Sequence, residues 1–341
     1  MRKRIGMILG ILMLAVAVLT GCGQTNTAGR ASSSAPSSSS SSPAQTAQAG
    51  KAVTIKMLNV GQGDSILIET PEQTVLIDTS DVDERDKLKR ELDKAGVKKI
   101  DKVILTHPHA DHIGGMDVLL KDYQVGAVYD NGMPSTSKLY LSYRKALKAK
   151  NIPYQALKAG DVLDFGGGVS FKVFYPTEEL QQKGAQKGYK HDPNNESIVG
   201  RLTYGSFSML FTGDAETPVE EQILKTNAGE LKSTILKAPH HGSSTSSSVA
   251  YLKAVWPEAV LISCGQGNDY GHPHTDVLAR FLGQPNYTDR RDGKQKKTKL
   301  VKDDKGTVLK AKVYETDKNG TITVTTDGQG YKLQAEEGDA Q

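Results

Sequence analysis

Thr106-His107-Pro108-His109-Ala110-Asp111-His112 packs three imidazoles and a carboxylate into six consecutive positions. The string directly follows Lys102-Val103-Ile104-Leu105, an apolar, β-branched run that reads as a buried strand. So many ionisable groups beside a core strand would be costly as a structural feature, because each would need its own partner. Neutral imidazole is the commonest ligand of zinc and related ions, and carboxylate suits harder ones. A loop after the strand lets residues two apart point inward together, and Gly114-Gly115 permits close backbone packing there. The string therefore reads as the heart of a metal centre.

Outward from it, short β-branched runs alternate with amphipathic segments, which predicts an α/β architecture of sheets covered by helices. Val53 to Leu58, Ser65 to Glu69 and Thr74 to Ile77 read as consecutive strands, with turns at Gly61-Gln62-Gly63-Asp64 and Pro71-Glu72. Asp81 to Ala95 reads as a helix, with Leu88 and Leu92 at helical spacing and Gly96 as its stop. Further helices are expected over 114–120, 137–150 and 218–225, and further strands over 125–129, 169–174, 197–203, 208–211, 234–237 and 259–263. Val313 to Val324 reads as a hairpin around Asn319-Gly320, and residues from Gly328 on, including 331–341, as a frayed tail. Several strands end in His or Asp, which predicts that one edge of a layered sandwich converges on a single site.

The Thr106 to His112 string resembles the His-x-His-x-Asp-His motif of the metallo-β-lactamase superfamily, and the resemblance runs from residue 53 to 326. It implies an αββα sandwich with two metal ions, Zn or Mn, at one sheet edge. By that resemblance His107 and His109 hold the first ion, Asp111 and His112 the second, and Asp214 of Phe211-Thr212-Gly213-Asp214 bridges both. Ala238-Pro239-His240-His241-Gly242-Ser243 matches the late histidine of the second site; His240 is taken as the ligand and His241 as its neighbour or a substrate contact, an assignment that stays open. Asp78 matches the acidic residue that orients a ligand histidine from behind. The family's usual third histidine of the first site is replaced by Asn194-Asn195-Glu196-Ser197. Four strings, Leu58 to Ser65, Asn195 to Val199, His240 to Ser243 and Asn268 to Pro273, look like the extracellular hydrolase domain of ComEC, the competence DNA-uptake protein, whose branch shares that departure. The likeness implies that Asp64, Asn195, Tyr270 and His272 line the site, with His272 a phosphate contact or general acid.

The ends set the expected location. Arg2, Lys3 and Arg4 precede an apolar run from Ile5 to Leu19 that is short for a bilayer span. It ends in Leu19-Thr20-Gly21-Cys22, which resembles the bacterial lipobox, so residues 1–22 read as a lipoprotein signal with lipidation at Cys22, against the plainer reading of a transmembrane anchor. Residues 23–50 are Ser, Ala, Thr, Gln and Pro with little apolar bulk and read as a disordered tether. The body, residues 51–330, is expected as one hydrolase domain, anchored to the membrane and facing outward. The only cysteine besides Cys22 is Cys264, so stability must come from core burial rather than a disulfide. The formal charge of +4 includes the three basic leader residues, so the body is close to neutral and has no general pull on polyanions. An exception is a basic insertion near 283–312, from Arg290 to Lys312, which reads equally as a solvated loop or a binding patch.

These readings predict a metal-dependent extracellular hydrolase of ester bonds. A metal-bridged hydroxide would be the nucleophile, and Asp111 or Asp214 would steer its proton. The expected substrate is DNA or another phosphodiester polymer, with no obligate protein partner. The competing expectations are a cell-wall phosphoesterase acting on teichoic acid or phosphorylcholine, and a non-catalytic surface binding module. Without a third first-site histidine, β-lactam hydrolysis is disfavoured.

Overall fold

The computed structural model describes residues 51–341. The leader, Cys22 and the tether lie outside the described residues. The first strands are β1 (Val53–Met57), β2 (Ile66–Glu69), β3 (Thr74–Ile77), β4 (Lys99–Leu105), β5 (Gln124–Asp130), β6 (Tyr154–Ala156), β7 (Val162–Asp164) and β8 (Ser170–Tyr175). They are followed by β9 (Val199–Tyr204), β10 (Phe207–Phe211), β11 (Ile235–Lys237), β12 (Ala259–Ile262), β13 (Asn286–Thr288), β14 (Gln295–Lys297), β15 (Lys312–Glu315), β16 (Ile322–Thr326) and β17 (Tyr331–Ala335). The helices are α1 (Arg85–Lys94), α2 (Ala110–Ile113), α3 (Met116–Asp122), α4 (Lys138–Ala149), α5 (Glu178–Gly184), α6 (Thr217–Asn227), α7 (Val249–Val255), α8 (Thr275–Phe281) and α9 (Thr316–Asn319).

Two mixed sheets form, in the orders β17-β16-β1-β2-β3-β4-β5-β6 and β15-β12-β11-β10-β9-β8-β7. Alternation along β1 shows how they meet: Val53, Ile55 and Met57 are buried while Thr54 and Lys56 face away. The buried set joins Ile68 and Ile77 of the first sheet and Phe171, Leu202, Met209 and Leu261 of the second in one cluster between the sheets. Leu67, Leu76, Val103 and Leu105 point to the opposite face of the first sheet, where Leu88, Leu92 and Leu119 of α1 and α3 cover them. Leu210, Leu236 and Val260 do the same on the second sheet under Ile223, Leu252 and Leu278 of α6, α7 and α8. The layering is αββα, as expected. Among the described residues no helix is long and apolar enough to cross a membrane.

Three sequence expectations are corrected. Asn319-Gly320 does not turn a hairpin: β15 pairs with β12 in the second sheet and β16 with β1 in the first, so the chain crosses between sheets through α9. The signal was misread because Gly320, at φ 65°, ends a short helix rather than closing a two-residue loop. The tail is not frayed, since β17 pairs with β16 from Ile322↔Ala335 to Thr326↔Tyr331. The basic insertion is not wholly a loop: β13 and β14 form a two-stranded ribbon. There the buried Asp289 binds Arg291 at 2.9 Å and Lys296 at 2.7 Å.

The tail carries further ties. Thr321 N–H donates to Glu336 at 2.9 Å, and the Gln341 and Val313 backbones bond at 2.9 Å. Ending the chain at Gly330 removes them and bares the β16 edge. The expected outcome is a lower thermal midpoint and self-association in size-exclusion chromatography. A monomer that melts at the full-length midpoint would contradict this role.

Candidate metal centre

Asp78, just past the end of β3, is fully buried in the left-handed region at φ 59°. Its carboxylate accepts from Thr106 N–H and from Thr106 Oγ1, each at 2.7 Å, and meets His112 Nδ1 at 2.8 Å. One acid thus fixes the end of β4 and the ring of His112. With Nδ1–H committed to Asp78, His112 Nε2 is left with its lone pair and no partner, 3.3 Å from Asp214 Oδ2 and 3.7 Å from Asp111 Oδ2. Asp111 and His112 stand on the single turn α2 rather than on a loop.

His241 repeats the device. Its Nδ1 bonds the Ser263 carbonyl at 2.8 Å, and its unpartnered Nε2 lies 3.4 Å from Asp111 Oδ2 and 3.5 Å from Asp214 Oδ2. Ligand atoms of Asp111, His112, Asp214 and His241 all lie within 4.8 Å of one another. This corrects the choice of His240. That residue and His241 both adopt left-handed backbone, at φ 47° and 52°, which sends adjacent rings to different places. His240 turns its Nδ1 to Glu216, 3.1 Å away, and forms the wall of the cleft.

At the first site only His107 Nε2 and His109 Nδ1 converge, 3.0 Å apart. Ser197 Oγ occupies the other side of His107, 3.2 Å from Nδ1, and accepts from Asp214 N–H. The departure at 194–197 therefore substitutes a hydroxyl that orients His107 for a third imidazole.

The carboxylates of the centre favour positive charge among them. Burial opposes charge on His112, but Asp214, Asp111 and Asp78 outweigh it and hold its pKa well above the usual value. His241 is likewise carried up to about 10 against its burial, by Asp214 and Asp64. Asp214 and Asp111 are drawn well down, despite burial, by the imidazoles around them. A divalent ion would balance the same carboxylates in place of protons on these rings, and the unpartnered Nε2 atoms of His112 and His241, with Asp214 Oδ1, are the donors it would take. The residues fit a divalent metal.

The other predicted residues divide. Tyr270 and His272 line a cleft of about 400 Å³ together with His109, Asp111, Asp214 and Gln62. Their rings stack, with centroids 5.6 Å apart, and His272 Nδ1 has no partner. Burial and the neighbouring His241 push the His272 pKa down to about 3. Asp64 does not line the cleft; it is buried behind the centre. Asn195 does not line it either: it bonds Asp192 and Glu216, while Asn194, one residue earlier, faces the cleft with Oδ1 unpartnered.

Lys237 went unnoticed in the sequence because it reads as an ordinary polar position in a strand. It is fully buried, and its ammonium donates to Asp64 Oδ2 at 2.6 Å and to the Gly213 carbonyl at 2.9 Å. Lys237→Met should cost about 3–5 kcal/mol in urea unfolding, because the buried Asp64 carboxylate loses the ammonium that is hydrogen-bonded to it. Adding Asp64→Asn should recover most of that loss. A single variant as stable as wild type would contradict the pairing.

Residues 58–266 match the metallo-beta-lactamase superfamily. ComE operon protein 3 of Bacillus subtilis (strain 168) is 32% identical over 243 residues, covering 66% of this chain and 30% of the relative. Competence protein ComA of Neisseria gonorrhoeae is 32% identical over 230 residues, covering 67% and 29%. The chain thus spans less than a third of the length of these curated relatives. Among solved structures, the metallo-beta-lactamase fold protein YhfI from Bacillus subtilis aligns at a TM-score of 0.41 and 14% identity, over 62% of this chain and 85% of that one. With the match covering more than half of its length and the ligand cluster in place at the sheet edge, the chain belongs to the metallo-β-lactamase superfamily.

Proposed function

We propose that this protein is a metal-dependent phosphodiesterase acting on DNA, held at the outer face of the membrane by a lipid on Cys22. The observation that carries the reading is the open cleft in which Asp111, Asp214 and His241 meet Asn194, Tyr270 and His272. Its floor gathers acceptors and lone pairs for cations, and its wall offers polar and aromatic groups for a substrate. The likeness to a relative named as a competence protein supports this reading. The anchored location rests on the leader sequence alone.

Asp111, His112, Asp214 and His241 would hold one divalent ion, and His107, His109 and Asp214 a second, with Zn or Mn as the candidates. Such ions, when bound, supply a Lewis acid for the phosphoryl oxygens and a nucleophilic water ionised near neutral pH. The chain's own residues do the positioning. Asp78 and the Ser263 carbonyl each fix an imidazole tautomer, and Ser197 orients His107. Asn194 and His272 line the cleft, and Asn194 Oδ1 and His272 Nδ1 are buried there without a hydrogen-bond partner. Tyr270, two-thirds exposed on the His272 ring, offers a face for a base. In the turn between β13 and β14, Arg290 N–H donates to Thr275 Oγ1 at 3.3 Å, three residues along the chain from His272. Arg290, Lys294 and Lys297 on this ribbon have no ion-pair partner among the described residues, a charge distribution that suits a phosphate backbone.

The test is cleavage of single-stranded DNA, double-stranded DNA and bis-p-nitrophenyl phosphate with Mn or Zn. The expected result is DNA cleavage that falls by about 100-fold or more in His109→Ala and in His241→Ala. Cleavage of the small diester alone would move the substrate to a wall polymer such as teichoic acid. No hydrolysis with either metal would leave a surface binding module.

A further inference from the structure

Behind the cleft wall, where β12 and β15 end side by side, a second group of ligand types lies apart from the catalytic cleft. Cys264 is completely buried, as is Glu315, and Asp317 is half-buried. One ligand atom of each lies within 4.8 Å of those of the other two. The backbone is held for it: Cys264 N–H donates to Thr316 Oγ1, and that hydroxyl donates back to the Cys264 carbonyl, both at 2.9 Å. Glu315 N–H donates to Asn319 Oδ1 at 2.9 Å.

Two features point to a cation. Glu315 Oε1 is met by Lys318 Nζ at 2.7 Å and by Gln341 Nε2, but its Oε2, inside the protein, has no partner. A buried carboxylate oxygen without a donor carries an uncompensated desolvation cost. Cys264 Sγ stands 3.3 Å from Asp317 Oδ1. Two ligands on one tetrahedral zinc, with bonds of about 2.3 Å to sulfur and about 2.0 Å to oxygen, stand roughly 3.5 Å apart. With the thiol deprotonated, two carboxylates and a thiolate against Lys318 leave a double negative charge, which one divalent ion neutralises.

We propose that Cys264, Glu315 and Asp317 form a separate site for a thiophilic divalent cation of the zinc or cadmium class. The thiolate selects such ions over Mn, Mg or Ca. Binding displaces the Cys264 thiol proton to solvent and replaces the S–H···O bond to Asp317 with two bonds to the ion. The site braces the cleft from behind, because Gly265 N–H, next to Cys264, donates to the side chain of Gln62 on the cleft wall at 3.1 Å.

Cadmium alone is the probe, added to the full chain. The sulfur-to-cadmium charge-transfer band in the ultraviolet reports only thiolate sites, and the cleft contributes no sulfur. Cys22 is removed as a source by using Cys22→Ser as the parent. In that parent the band should rise with one bound cadmium. Adding Cys264→Ser should abolish the band and lower total bound cadmium by one ion per chain. Adding Asp317→Asn, which keeps the thiol, should weaken cadmium binding at this band by about tenfold or more. No band in the parent, or a band that survives Cys264→Ser, overturns the proposal. Should Cys264→Ser fail to give a native circular dichroism spectrum, Asp317→Asn decides: unchanged affinity in that variant also overturns it.

Discussion

The carboxylate of Asp78 is the constraint on which the rest of the site depends. It ties together the end of β3, the end of β4 and the imidazole of His112, three pieces separated by up to 34 residues in sequence. Burying the carboxylate so completely is tolerable because both of its oxygens are hydrogen-bonded: burial raises its pKa, while His112 and the Thr106 backbone oppose that rise. The consequence runs outward. A fixed His112 tautomer gives a fixed Nε2, and that lone pair, with the one His241 aims from the opposite sheet, defines where a cation can sit.

The two sheets contribute unequal halves of the centre. The first sheet supplies Asp78, the His107 to His112 segment and Asp64. The second supplies Asp214, Lys237 and His241 from the ends of β10 and β11. The halves are joined by ionic and polar contacts as well as by the apolar interior: Lys237 reaches Asp64, and Ser263 Oγ bonds the Gly63 carbonyl. Gly63 itself leaves no room for change, since a side-chain carbon there would stand 2.6 Å from the Asp111 carbonyl. Substrate chemistry and fold stability therefore share residues, which is the usual cost of gathering charge at a sheet edge.

Much of this was legible in the sequence where one short string held both the strand and its chemistry. The Thr106 to His112 segment, Asp78 and Asp214 each follow an apolar β run, so position and residue type agreed. The misreadings share a physical origin in backbone conformation. The His240-His241 pair could not be resolved from spacing, because two successive left-handed residues exchange the directions a regular backbone would give. Asn194 and Asn195 part for a different reason: they stand in a 3₁₀ turn, where successive side chains point about a third of a turn apart. Lys237 carries no motif, and only burial against Asp64 reveals it. The crossing through α9 and the pairing of β17 are long-range events that a local Asn-Gly signal or a chain end cannot report.

Asp111, His112, Asp214 and His241 are arranged so that they could share one divalent cation. Anomalous diffraction from crystals grown with Mn or Zn tests this sharing most directly. An anomalous peak is expected within bonding distance of Nε2 of both His112 and His241 and of the Asp111 and Asp214 carboxylates. A peak ligated by His240 in place of His241, or no peak among these four residues at saturating metal, would contradict it.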